Sequence, residues 1–368
     1  MTTPRRAGPK AGSPFRVSGV VLPGGEHKDL YVVDGRVTYQ PVPTTDLVAE
    51  GWIVPGLVDA HCHIGLDEHG PVSDEISEEQ ALADRDAGTL LVRDAGSAAD
   101  TRWIDGRDDL PRVIRAGRHI ARPKRYIRNY AHEVEPDELV SCVVQEAQRG
   151  DGWVKLVGDW IDRDAADLMP SWPADALRAA IGAAHEHGAR VTAHVFGEEA
   201  LPDLLAAGID CIEHGTGLSG DLIDDMAARG VALVPTVRQL ENFPNYAAAG
   251  EARFPAYAAH MRALFERRHE TIGAAYDAGV PIYAGTDAGG VLPHGLIADE
   301  VITIAAYGVS PCDALGAASW QARSWLGRPA SLEEGDEADF VVYDEDPLTD
   351  LNVLSHPSRI VLRGRILA

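Results

Sequence analysis

The chain has 368 residues, 45% of them hydrophobic and 24% charged, which is the composition of an ordinary globular protein with material for one large domain and a smaller one. A formal net charge of −24 argues against non-specific binding to nucleic acid or to an anionic membrane surface. No apolar run approaches the roughly 20 residues that span a bilayer, and the polar start of the chain lacks an apolar signal core, so the expected location is the cytoplasm.

Residues 1–14 read as a disordered polar tail. From 15 to 54, short β-type runs are separated by Gly-Gly, Asp-Gly and Pro-rich turns, which is hairpin chemistry. Residues 338–367 show the same texture, so a small β-sandwich domain assembled from both chain termini (15–56 plus 327–368) is expected. Cys62, Cys142, Cys211 and Cys312 are scattered with no Cys-x-x-Cys pair, which indicates neither a disulfide framework nor a thiolate zinc site.

Between the ends, residues 57–326 alternate strand and helix. Candidate strands cover 57–63, 89–94, 112–115, 153–157, 190–195, 211–214, 232–237 and 281–286. Ala- and Leu-rich helical segments, such as 173–187, 198–207, 221–228 and 256–278, separate most of them. Eight such runs give an α/β fold of the (β/α)8 TIM barrel type. A doubly wound open sheet is the alternative, but no Gly-rich nucleotide turn follows the first strand.

A barrel carries its chemistry at the carboxyl ends of its strands. The first strand, in Gly56-Leu57-Val58-Asp59-Ala60-His61-Cys62-His63, ends on two histidines at i and i+2, both on one side, with Cys62 pointing away. Two same-side imidazoles make half of a metal site, although His-x-His alone also fits two polar residues at a strand terminus. The fourth strand holds Lys155 inside Trp153-Val154-Lys155-Leu156-Val157, and only four lysines occur in the chain. Burial lowers the pKa of an unpaired lysine, and a neutral amine can add carbon dioxide to become a carbamate. A lysine snorkelling to a carboxylate is the alternative. The fifth, sixth and eighth strands end on Ala193-His194, Glu213-His214-Gly215 and Thr286-Asp287-Ala288. Each group singly fits a cap or a core position; together six metal-binding side chains at the ends of five strands form a constellation.

These residues resemble the amidohydrolase superfamily in its binuclear form with a carboxylated lysine, and most closely its imidazolonepropionase-like and metal-dependent prolidase branch. The stretch Val54 to His63, Lys155, Ala193-His194, Ile212-Glu213-His214-Gly215, Gly285-Thr286-Asp287-Ala288-Gly289 and Pro293-His294-Gly295 carry the resemblance, together with 335–343 near the end of the chain. The resemblance implies that His61, His63 and Asp287 hold one divalent cation and His194 and His214 a second, with carboxylated Lys155 and a hydroxide bridging ions about 3.5 to 4 Å apart. It makes Asp287 the catalytic proton carrier. Zinc suits such a donor set, and manganese, cobalt or iron would also be accepted.

For the substrate, the residues offer less. Between 112 and 128 lie Arg112, Arg115, Arg118, Arg122, Lys124, Arg125 and Arg128 with no acidic residue, a local positive field able to draw an anionic, carboxylate-bearing substrate to the barrel mouth; pairing with surface carboxylates is the alternative. The Gly-Gly-His element common in relatives is absent here, so Tyr130 or His132 is the expected substrate contact in that loop, with His294 as another after the eighth strand. Trp160, Trp172 and Phe196 offer an apolar wall. The resulting expectation is a metal-dependent hydrolase of an amide or other C–N bond in a dipeptide or N-acyl amino acid. Hydrolysis of a lactone, ester or phosphoester and a non-catalytic barrel scaffold are the alternatives. The expected partners are a small-molecule substrate and, in a homo-oligomer, a second copy of the chain.

Overall fold

The computed structural model describes residues 13–367; the expected disordered tail lies outside the described residues but for its last two positions. No helix is long and apolar enough to cross a membrane.

The two chain ends meet in one seven-stranded sheet. Strand Asp46–Pro55 joins them: its first part runs parallel to Phe15–Val21, and its last four residues run antiparallel to Phe340–Tyr343. A ten-residue strand that pairs with one group over its first part and with the other over its last four residues ties them into a single sheet, where the sequence suggested a sandwich. Alternation then sorts the side chains. Phe340 and Val342 enter a small core with Val17, Leu30 and Val32, while Val341 and Tyr343 face the main core.

The interior strands Leu57–Cys62, Thr89–Asp94 and Arg112–Arg115 pair in parallel, and so do Trp153–Val157, Arg190–Val195, Cys211–His214 and Ala232–Val234. All but the first residues of the third and fifth are buried, as expected of strands covered by helices on one side and packed around a shared interior on the other. A short continuation, Ile120–Ala121, carries the third position across to Leu156 of the fourth. Ala232–Val234 is shorter than expected because Thr236 takes a left-handed conformation (φ 47°) and Val237 opens a helix.

The eighth position is not a regular strand. Residues 281–288 bond to both neighbours, Tyr283 N–H to Leu233 O and Asp287 N–H to His61 O, but only through isolated bridges. The cause is close approach: a Cβ on Gly285 would stand 2.6 Å from both His61 Cβ and Val234 Cγ1, and one on Gly289 2.2 Å from His63 O. The segment is pressed against the first strand, which is what brings Asp287 to His61 and His63.

Candidate metal centre

Four histidines converge at the carboxyl ends of the strands. His61 Nε2 lies 3.2 Å from His63 Nε2, and Asp287 Oδ1 is 3.0 Å from each of them. His194 Nδ1 lies 2.9 Å from His214 Nε2. The two groups adjoin, since ligand atoms of His61, His214 and Asp287 all fall within 4.8 Å of one another. Donor atoms at the corners of a tetrahedron with zinc–nitrogen bonds of about 2.0–2.1 Å stand about 3.3 Å apart, so the spacing suits atoms that share a cation.

The outward ring nitrogens show why these imidazoles face inward. His61 Nδ1 contacts Glu213 Oε2 at 2.5 Å, His63 Nδ1 contacts Gly96 O at 2.8 Å, and His214 Nδ1 contacts Thr236 Oγ1 at 2.7 Å. Each contact leaves Nε2 turned into the site, the arrangement by which an outer partner orients a metal-ligating histidine. His194 is reversed: its Nδ1 points inward, while Nε2 has no hydrogen-bond partner and stands 3.9 Å from Asp159. Asp159 is held by the backbone N–H groups of Phe196 and Gly197.

Backbone strain supplies one placement that strand periodicity forbids. Glu213 and His214 are consecutive and should face opposite sides, yet Glu213 meets His61 and His214 meets His194. His214 adopts φ 68° at the strand end, and Asp287 does the same with φ 57°. Non-glycine residues in the left-handed region cost roughly 1–3 kcal/mol each and collect at functional sites.

Beneath the imidazoles lies a charged layer. Arg93 Nη2 donates to Glu213 Oε1 at 2.7 Å, and Thr192 Oγ1 donates to the same oxygen. Lys155 is buried beside them, and its charge acts on His61, His63, His194 and His214 alike. Burial lowers the Lys155 pKa, with Glu213 and Asp287 opposing. Burial also pulls down His63 and His194 and brings His214 to about 3, which keeps these rings neutral and able to bind a cation. For Asp287 burial acts upward, but His61 and His63 outweigh it and hold the carboxyl well below its usual range.

Over the centre opens a cavity of about 550 Å³ lined by His63, His194 and Asp287 at its base. Trp160 and Phe196 stand in its wall as expected, but Trp172 is turned away, its Nε1 donating to Val157 O at 2.9 Å. Of the expected substrate contacts, Tyr130 lines the cavity with its hydroxyl donating to Asp67 O at 2.6 Å. His132 does not: it pairs with Glu146 at 3.0 Å. Nor does His294, whose Nδ1 is bound to Asp84 Oδ2 at 2.8 Å, because the strained turn after Asp287 carries it behind the first strand.

Of the two readings of the positive loop, four of its arginines follow the second, pairing with carboxylates. Arg112 pairs with Glu337, Arg115 with Asp105 and Asp151, Arg122 with Glu135, and Arg125 with Asp162, while Arg118 donates to Tyr130 O. None of these arginines lines the cavity; the loop gives it Tyr126, Ile127 and Tyr130 instead. Carboxylates thus answer Arg112, Arg115, Arg122 and Arg125.

Sequence reading missed Arg93, Thr236, Asp159, and the lining residues Tyr246 and Arg253. Arg93 carried a usable signal, since it stands in the apolar run Leu90-Leu91-Val92-Arg93 as Lys155 does in its strand.

Parallel strands covered by helices, with imidazoles and a carboxylate turned inward at one rim, make a site suited to holding a cation. The chain belongs to the amidohydrolase family, whose model matches residues 52–367. An uncharacterized protein of Mycobacterium tuberculosis is 55% identical over 353 residues, 95% of each chain. Ochratoxinase of Aspergillus niger is 27% identical over 231 residues, 61% of this chain and 47% of that protein. Among solved structures, a Xaa-Pro dipeptidase with methionine bound in its active site matches with a TM-score of 0.81 at 22% identity, over 96% of this chain and all (100%) of that one. The A. niger ochratoxinase structure matches with a TM-score of 0.78 at 20% identity over 96% and 95% of the two chains. These likenesses give the chain the α/β TIM-barrel fold.

Proposed function

We propose that the protein is a metal-dependent hydrolase of an amide or other C–N bond in a dipeptide or N-acyl amino acid, with residues 57–326 as its catalytic unit. The observation that carries this reading is the convergence of four inward-facing imidazoles with Asp287 beneath an open cavity. His61, His63 and Asp287 would hold one divalent cation, His194 and His214 the other, and carboxylated Lys155 would serve both; the nitrogen-rich donor set favours zinc. Bound there, the cations would polarise the scissile carbonyl and lower the pKa of water so that hydroxide is available near neutral pH.

The chain's own residues supply the rest. Asp287 takes the proton from the attacking water as its oxygen adds to the acyl carbon, and then delivers it to the nitrogen, which leaves as an amine when the C–N bond breaks. Glu213 and Arg93 hold His61 in one tautomer and orientation. The aromatic wall keeps bulk water from the reacting carbonyl.

The test is direct. Purified protein should carry about two divalent ions per chain by elemental analysis, and Lys155→Ala and Asp287→Asn should abolish amide hydrolysis while circular dichroism stays native. Full activity in either variant would reject the mechanism, and a metal-free native protein would leave only a barrel scaffold.

A further inference from the structure

We infer that the cavity selects amides bearing a large aromatic group, with Arg253 as the anchor for a substrate carboxylate at the cavity's outer end; this rests on the hydrolase reading above. The wall is built of rings set edge-on. Tyr126 and Trp160 have centroids 4.9 Å apart at 67°, and both reach His194, at 5.6 and 5.4 Å. Phe196 stands 4.3 Å from His194 and 4.7 Å from Phe243 behind it. An aromatic group placed beside His194 therefore meets ring edges and faces on several sides, the contacts that aromatic pairs favour.

The lip is apolar too. Among the described residues the exposed large hydrophobic side chains are Ile76, Ile127 (36%) and Val291 (57%), and the last two line this cavity. Exposed apolar groups at the mouth of an apolar cleft mark a surface that an apolar ligand covers.

Polar functions are few and mostly spent. The Tyr130 hydroxyl is bound to Asp67 O, and the Tyr246 hydroxyl accepts from Gln239 Nε2 at 2.9 Å. Apart from His63, His194 and Asp287, the charged lining consists of Glu68 and Arg253. Arg253 makes no ion pair among the described residues; its guanidinium lies 4.9 Å from the Phe254 ring, between the helices Phe243–Gly250 and Pro255–Asp277. Among the described residues Arg253 is the one arginine or lysine lining the cavity, so it is placed to receive a carboxylate, and a guanidinium does so with two parallel hydrogen bonds.

The test compares three acids: N-(2-naphthoyl)-L-phenylalanine, N-acetylglycine and glycyl-L-proline. The naphthoyl compound should be cleaved with a kcat/KM on the order of 100-fold higher than the other two, the discrimination expected from burying a fused ring system. Arg253→Gln should raise its KM by roughly tenfold with kcat unchanged, and leave KM for the corresponding carboxamide alone. Binding is read separately by quenching of tryptophan fluorescence, which should be saturable and should weaken in Trp160→Phe. Equal cleavage of the three acids would overturn the inference while the hydrolase reading stands. Saturable, Arg253-dependent quenching without cleavage of any amide would sink the hydrolase reading and leave standing only the cavity's selection of an aromatic carboxylate as ligand. Absence of quenching at millimolar naphthoyl compound overturns the inference whatever is cleaved.

Discussion

At the carboxyl ends of the barrel strands, imidazoles and Asp287 face one another above a buried Lys155, with a left-handed backbone at His214, Thr236 and Asp287, whereas at the amino ends the interior is a stack of rings and guanidinium groups. There Trp153 and Trp325 lie 5.1 Å apart, Tyr283 stacks on Trp325 at 4.2 Å and 12°, and Arg190 lies 4.1 Å from Trp153 with Nη1 donating to Trp325 O. The floor is built of stacked rings and guanidinium groups beside a cavity lined by Trp153 and Arg190, whereas the rim brings together imidazoles and a carboxylate suited to a cation. Arg93 spans the two, 4.7 Å from the Trp153 ring on one side and bonded to Glu213 on the other. The link between the two regions runs through one buried ion pair, Arg93 with Glu213.

Breaking that link should have the largest effect. Glu213→Gln leaves Arg93 buried without its counter-charge and weakens the hold on His61 Nδ1. Loss of one partner of a buried pair costs about 3–5 kcal/mol, and loss of a residue that orients a metal ligand typically weakens metal binding about 10–100-fold. Denaturant unfolding and a zinc titration on the refolded variant measure both. Native zinc affinity would show that Glu213 orients nothing.

Disturbing the floor alone should separate the two regions. Trp153→Ala removes the ring between Arg93 and Arg190, with an expected loss of about 3 kcal/mol in the unfolding free energy and no change in zinc affinity. A parallel fall in metal binding would mean that floor and rim are one cooperative unit.

The same contrast explains what could be read from the sequence. His61 and His63 were legible because i, i+2 spacing on a strand fixes a shared face, and the burial of Lys155 because it stands within an apolar strand. Asp287 followed from its place at a strand end, although its strand proved irregular. Glu213 and His214 as neighbours both facing inward were not legible, since only the positive φ of His214 permits it. The arginines of 112–128 left two readings open because the partners of Arg112, Arg115 and Arg122, namely Glu337, Asp151 and Glu135, lie elsewhere in the chain, and a run of like charge does not disclose what folds against it. Tyr246 and Arg253 lie in or just after a helix beyond the seventh strand whose own spacing gives no reason to face a cavity.

A smaller effect tests how the rim wall is held. The hairpin of Asp159–Asp162 and Asp167–Pro170 carries Trp160, and His260 on the helix Pro255–Asp277 fastens it by contacts to Asp167 at 2.9 Å and Glu198 at 2.8 Å. The Glu198 hydrogen bond, then that of Asp167, raises the His260 pKa from 6.5 to about 9 against the opposing pull of burial. A raised folded-state value means that the stabilisation is fully present below about pH 6.5 and disappears as pH rises through about 9. Because the cluster is partly open to solvent, about 1 kcal/mol is expected. Unfolding midpoints of wild type and His260→Gln should therefore differ at pH 6 and converge by pH 10; a constant difference would assign the effect to packing.

The smallest effect is expected where the sequence promised most. Arg122 lies 2.9 Å from Glu135, with side chains 29% and 53% exposed, and Arg125 is paired with Asp162. Exposed pairs of this kind contribute between zero and about 1 kcal/mol. Arg122→Gln should lower the unfolding free energy by no more than about 0.5 kcal/mol and change kcat/KM for an anionic substrate by less than about twofold, because its charge is answered by Glu135 and it does not line the cavity. Kinetics at low and high salt would sharpen the point. A steering field raises the association rate at low ionic strength and fades as salt is added, so a salt-dependent loss in Arg122→Gln would restore the loop as an electrostatic guide despite its pairing.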